Sequence, residues 1–491
     1  MFHRLFALTL AFCWPLGLSA GPVVLTTGDG SLQVEGELLS FDGEFFRVET
    51  AFGPLTLDGG NMRCQGAGCP DPEALVARAV IVGPPGMVHN LVPSLLEVFA
   101  DREGLSYRSL FLGDNQVVWE LREGESDQLL AAFEGHVEEP EAAARRLASG
   151  EAMIALGRRE ARSPIRQDVI ALDAVLPLVA PENPRAMVTQ TQLSALLTGR
   201  TESWGVLDGP DLPVGVHILD GTEPLLRRWH SGRLARNVTH HQNADALADA
   251  VARDPAALGV GIYSGIGNAS PLVVGGTCGL AIPATRDTIR AEDYPLTQPL
   301  FLQRIGARQP KLVRDFIAYA RSEEAQPVIA ATGYVDQAIG RISFDRQGDR
   351  IANAVLAAGD DPERLVEVQK MIAALLNRDR LTLTFRFQDG SSELDAQSTS
   401  NIDRLADAIN QGRFDGKTLY FIGFSDSVGP ADGNQRLSLR RARSVRAAVA
   451  AFVGQAPVTM KTDAFGEVLP MACDDTAWGR QVNRRVEVWI E

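Results

Sequence analysis

Gly423-Phe424-Ser425-Asp426-Ser427-Val428-Gly429, followed by Leu437-Ser438-Leu439-Arg440-Arg441-Ala442, is the stretch from which the C-terminal part of the chain is best read. Leu419 to Gly423 is an apolar run of strand character, and the serines, aspartate and glycine after it are turn formers. From Leu437 to Val453, Val445, Val449 and Phe452 fall on one helical face. Moving outward, Leu381, Leu383, Phe385 and Phe387 alternate as a half-buried strand does. Asp389-Gly390-Ser391-Ser392 then turns the chain into a helix with Ile402, Leu405, Ala406 and Ile409 on one face. The end, 485–491, alternates again through Val486, Val488 and Ile490. Strands alternating with amphipathic helices predict an α/β sandwich.

Other motifs fall in order around that stretch: Phe387 to Leu394, Asn434, Phe465-Gly466-Glu467, Pro470, and Gly479-Arg480-Gln481-Val482-Asn483-Arg484-Arg485-Val486-Glu487. Together they resemble an OmpA-like peptidoglycan-binding domain over 380–491. The resemblance implies that Asp426 and Arg441 grip the diaminopimelate of the wall's stem peptide, with Asn434 and Arg485 at supporting positions. The free end of diaminopimelate carries an ammonium and a carboxylate, so an acid and a base set apart can clamp both. Arginine suits the carboxylate because its planar fork bonds it twice. The family places His or Tyr and then Thr before the aspartate; here Phe424 and Ser425 stand there, which keeps a hydroxyl and removes a polar neighbour. The alternative is that Asp426 only caps a turn and Arg441 only forms a salt bridge.

Upstream, Ala79-Val80-Ile81-Val82 is an apolar strand entering Gly83-Pro84-Pro85-Gly86, after which Val88, Leu91, Val92, Leu95 and Phe99 recur at helical spacing. Strand and helix keep alternating: a buried-strand pattern over 168–180 entering Pro181-Glu182-Asn183-Pro184, a leucine-rich helix ending in Gly199 and Trp204, Asp220-Gly221-Thr222, and Pro255 to Gly261. This order resembles the PstS-type periplasmic solute-binding proteins over roughly 76–340. It implies a two-lobed type II periplasmic-binding-protein-like domain with a small anion, such as phosphate, in the cleft. Gly86, Arg158, Arg159 and Thr222 are the ligand-binding candidates the resemblance supplies. Two prolines in the first loop donate no N–H, and Asp220 stands where the family has serine, so a different anion or no ligand stays open. Surface arginines are the alternative for Arg158 and Arg159.

The expected organisation is a signal peptide over 1–20, a small β-rich unit over 21–72, the solute-binding-like domain over 73–345, a helical linker over 346–379, and the OmpA-like domain over 380–491. In the β unit, the runs 23–25, 32–34, 45–48 and 55–57 are separated by Gly28-Asp29-Gly30, Asp42-Gly43 and Gly53-Pro54. His3 and Arg4, the apolar run 5–14 and the small pair Ser19-Ala20 read as the export signal, which predicts a periplasmic location at the wall, with the outer membrane nearby.

The 491 residues carry a net charge of −15, with 45% hydrophobic residues, as globular domains do. An acidic chain gains nothing from counterion release, which argues against nucleic acid. Cys64 and Cys69 bracket a glycine-rich turn and predict a local disulfide. Cys278 and Cys473 are expected as two separate buried thiols, with a bridge the alternative. His240-His241 has no carboxylate at metal-ligand sequence spacing and is expected as surface histidine. Without a Gly-x-Ser-x-Gly, Ser-x-x-Lys or phosphate-loop signature, the expectation is a binding protein without metal, cofactor or catalysis. It is either a wall-anchored solute-binding protein, or a structural tether whose upstream domain meets other envelope proteins.

Overall fold

A computed structural model of the chain describes residues 21–491 apart from 28–29, 42–44, 60–61, 71–75, 125, 210, 230–231, 307–308 and 389–392. The expected signal peptide, and the turns at Gly28-Asp29, Asp42-Gly43 and Asp389-Gly390-Ser391-Ser392, lie outside the described residues.

The first unit is a five-stranded antiparallel sheet in the order Gly53–Asp58, Phe45–Thr50, Gln33–Phe41, Pro22–Thr27, Met62–Gln65. Val23, Leu25, Phe46 and Val48 bury one face, as period-2 alternation dictates. The short edge strand Met62–Gln65 was not legible in its polar sequence. It is held by Pro22–Thr27 and by the disulfide from Cys64 to Cys69.

One large sheet spans both lobes of the next domain, and each lobe has its own apolar core. The 14-residue strand Arg166–Val179 crosses between the lobes beside the antiparallel Thr297–Arg304. From Val169 to Val179 it is buried without interruption, because both of its faces are covered. The first lobe is built on strands Ala77–Gly83, Leu105–Gly113, Gln116–Glu123, Leu129–Val137 and Ile154–Gly157. The second is built on Gly215–Leu219, Thr239–His241 and Ala257–Ile262. This is the expected two-lobed architecture with crossing strands.

The last sheet runs Arg341–Ile342, Asp379–Arg386, Arg485–Ile490, Thr418–Phe424, Thr459–Gly466. Helices Ala396–Asn410 and Ala431–Ala450 cover one face. The expected linker is instead two helices, Gly348–Ala358 and Pro362–Leu375, broken at Gly359-Asp360-Asp361. Their Ala354, Val368, Met371 and Leu375 pack on Ile422, Phe424 and Trp489, covering the other face of that sheet. The apolar faces of these helices therefore serve a core and not a free spacer.

The C-terminal domain and the two-lobed domain share a buried interface. Arg380, fully buried, donates to Asp293 Oδ1 at 2.8 Å and pairs with Glu487 at 3.2 Å. Arg386 pairs with Glu292 at 2.9 Å, and Ile282 packs with Met471, Ala472 and Val482. Cys278 and Cys473 are bonded to each other, with Cα atoms 5.7 Å apart, across 195 residues of sequence. This corrects the expectation of two separate thiols: the domains dock so closely that the thiols meet.

Candidate functional site

Strand Thr418–Phe424 delivers the Ser425–Gly429 turn to one end of the sheet. Phe424 is fully buried, with the Arg485 guanidinium 4.5 Å from its ring centre, so it is a core residue and faces no ligand. Ser425 follows; its Oγ is buried and has no hydrogen-bond partner among the described residues. Asp426 Oδ1 accepts from Val428 N at 3.1 Å, which caps the turn. Its Oδ2 accepts from Arg484 Nη1 at 3.0 Å, and the carboxylate is 13% exposed. Ser427 N donates to Asp474 Oδ2 at 2.6 Å, fixing the turn to the loop that carries Cys473. Gly429, at φ +102°, adopts a backbone an L side chain would strain, and turns the chain into helix Ala431–Ala450.

A second glycine sets the helix position. A Cβ on Gly423 would lie 2.1 Å from Ser438 O, so only glycine lets this helix lie directly on the strand. Arg441, one turn on from Ser438, is thereby brought beside the turn. Its Cζ sits 5.2 Å from the Phe387 ring centre, a cation–π contact. Its Nη1 is buried with no hydrogen-bond partner, and no carboxylate pairs with it among the described residues. Burial first, and then the positive charge of Arg484, hold its pKa below the ordinary arginine value, with Asp426 opposing.

Asn434 is nearly buried and donates to Glu467 Oε2 at 2.8 Å, fastening the start of the helix. Arg485 is fully buried and donates to Glu487 Oε1, Asn483 O and Leu469 O. It is fully buried beneath the turn, so its observed role is structural support. Arg484, which the sequence reading passed over, is the arginine bonded to Asp426. Arg484 lies between helix Ala477–Asn483 and strand Arg485–Ile490, outside the strand's alternation, so no periodic signal in the sequence singled it out.

The upstream candidates separate. Arg158 Nη2 donates to Asp173 Oδ2 at 2.9 Å, and Asp173, fully buried on the crossing strand, also accepts from Ser264 N, Ser264 Oγ and Ala174 N at 2.8–3.0 Å. Burial raises the adjacent Tyr334 phenol to about 12, with Arg158 opposing and Asp173 adding. A Cβ on Gly86 would lie 2.9 Å from Tyr334 Oη, so Gly86 belongs to this neighbourhood. Arg159 turns away to an exposed pair with Glu141 at 2.7 Å. Thr222 is buried and spends its hydroxyl on Leu219 O at 2.6 Å. Arg158 thus pairs with an internal carboxylate and Gly86 lies against the neighbouring Tyr334, while Arg159 and Thr222 are engaged elsewhere.

The turn, its helix and the arginine end of the last strand place the C-terminal domain. Residues 386–484 match the OmpA family. Outer membrane porin F of Pseudomonas aeruginosa is 30% identical over 153 residues, which make up 31% of this chain and 43% of that protein. The chain therefore spans less than half the length of that relative. Phosphate-binding protein PstS of Borreliella burgdorferi is 21% identical over 195 residues, 37% of this chain and 69% of that protein. An ABC-type phosphate transport receptor from Vibrio cholerae aligns over 52% of this chain and 99% of its own, at 18% identity and a TM-score of 0.39. Among the described residues, no helix is long and apolar enough to cross a membrane.

Proposed function

We propose that the protein is a non-enzymatic component of the cell envelope, held non-covalently to peptidoglycan in the periplasm by its OmpA-like domain. The observation that carries this is Arg441, a partly buried guanidinium with a donor unused among the described residues, set beside Asp426 in an OmpA-family domain. Arg441, with Arg484 near it, would take the carboxylate of diaminopimelate, and Asp426 its ammonium. One such clamp is modest, and retention would come from rebinding along a dense array of identical sites. Co-sedimentation of the full chain with purified sacculi tests this. The wild type is expected in the pellet, and Asp426→Ala and Arg441→Ala each in the supernatant; wild-type protein left in the supernatant would sink the proposal.

For the upstream domain, the small-anion reading competes with that of a scaffold for envelope proteins, and the geometry favours the scaffold. The C-terminal domain holds both lobes: Cys473 and Arg380 bind the second through Cys278 and Asp293, while Arg413 pairs with Glu323 of the first at 3.1 Å. Lobe closure around a solute requires rotation about the crossing strands, and this brace opposes it. Asp173 also fills the seat beside Arg158 with a fixed negative charge. Thermal melts of the full chain with phosphate and sulfate are expected to show no shift. A saturable shift abolished by Arg158→Ala would restore the solute-binding reading.

A further inference from the structure

At the edge of the second lobe, strands Gly215–Leu219 and Thr239–His241 run parallel, with Ile218 beside His240 and Leu219 beside His241. Alternation sends His240 to the same face as Ile218 and Asp220, and His217 with His241 to the other. The structure follows this. His217 Nδ1 and His241 Nε2 meet at 3.0 Å on one face, and His240 Nδ1 lies 2.9 Å from Asp220 Oδ1 on the other. Glu223, three residues beyond Asp220, folds back so that its Oε1 is 3.9 Å from the same nitrogen. Gly221 N holds the other oxygen, Oε2, at 3.0 Å.

One ligating atom from each of Asp220, Glu223 and His240 lies within 4.8 Å of the others. We propose that these three side chains form a binding site for a divalent metal ion of the zinc type. Three observations carry it. First, two carboxylates converge on one imidazole, and neither has a lysine or arginine within 4.0 Å among the described residues, so their charge lacks a cation. Second, ligand atoms of a tetrahedral zinc with bonds of ~2.0–2.2 Å stand roughly 3.4 Å apart. The 2.9 Å and 3.9 Å separations bracket that value, so small side-chain shifts complete the geometry. Third, the side chains are 32–52% exposed, which leaves an entry path and room for water as the fourth ligand. Imidazole among the donors selects zinc and its first-row neighbours over calcium or magnesium, which call for more oxygens.

Titration calorimetry of the untagged, chelator-treated full chain with Zn²⁺ tests this, with Co²⁺ absorption as a direct reading of coordination. One ion per chain is expected. His240→Ala and Asp220→Asn should each weaken binding by about tenfold or more, with His89→Ala unchanged. Asp220→Asn keeps the shape of the loop and covers the case in which His240→Ala disturbs the strand. The proposal is overturned if the wild type shows no saturable binding, or if both variants bind as the wild type does. It is equally overturned if His241→Ala, and not His240→Ala, abolishes binding, because the ion would then sit on the opposite face.

Discussion

Two arginine–aspartate groupings, one in each large domain, are chemically alike and physically opposite. In the two-lobed domain Asp173 is fully buried and takes four donors, among them Arg158, so its negative charge is spent inside the protein. In the OmpA-like domain the carboxylate of Asp426 goes to Arg484, and Arg441 is left near it with no carboxylate of its own among the described residues. The first arrangement is complete and can only lose by being broken. The second leaves a guanidinium donor unpaired among the described residues, as the proposed wall site requires. What makes a charged residue a binding residue is therefore the balance of partners around it, and residue type alone does not reveal that balance.

The largest expected effect separates the two groupings directly. Arg158→Ala leaves Asp173 buried without its counter-charge and should cost about 3–5 kcal/mol of stability, read by urea unfolding, with sacculus binding unchanged. Arg441→Ala should do the reverse, losing wall binding at a stability cost within about 1 kcal/mol. If both variants lose stability equally, the distinction drawn between the sites is wrong.

Next comes the link between the regions. Replacing Cys278 and Cys473 together by serine should lower stability by about 2–4 kcal/mol. It should also loosen the loop whose Asp474 holds Ser427, and so weaken wall retention. Unchanged pelleting in this double variant would show that the turn holds itself.

The interface supplies a pH test. Burial, against the opposing charge of Arg386, pushes the Glu292 carboxyl from 4.5 up to about 7. The folded state therefore binds a proton that the unfolded chain has already lost between those values. The stability tied to that proton is full below 4.5 and is lost as the pH rises through about 7. Glu292→Gln should flatten the fall in stability between about pH 5 and pH 8, by on the order of 2 kcal/mol. An unaltered slope in thermal melts would assign the pH dependence elsewhere. The smallest effect belongs to Arg159→Ala, whose exposed pair with Glu141 is screened by solvent, so the midpoint of chemical denaturation should not move.

Particular elements show how far the sequence could be read. The alternation at 381–387 and the helical faces at 402–409 and 445–449 were legible, because a buried face must repeat its apolar residues at a fixed period. Phe452, read onto the same face, lies past the end of helix Ala431–Ala450 and is exposed. That Phe424, which replaces a polar residue of the motif, turns into the core was not legible, since motif position does not tell which side of the strand is the core. The helices 348–375 looked like a linker because an amphipathic stripe does not name the surface it covers.

By itself, the sequence determined the alternation of strands and helices in the sandwich and the local Cys64–Cys69 pair, products of short-range pattern, while the two lobes and the placing of Asp426 with Arg441 near one turn were what the family resemblances implied. Tertiary structure alone decided that Cys278 meets Cys473, that Asp173 absorbs Arg158, and that Arg484 takes Asp426 while Arg485 is buried. It also decided that His240 stands beside Asp220 and Glu223. Each of these depends on which distant backbone segments come to lie side by side. That choice is made by the packing of whole faces, and no local period or spacing encodes it.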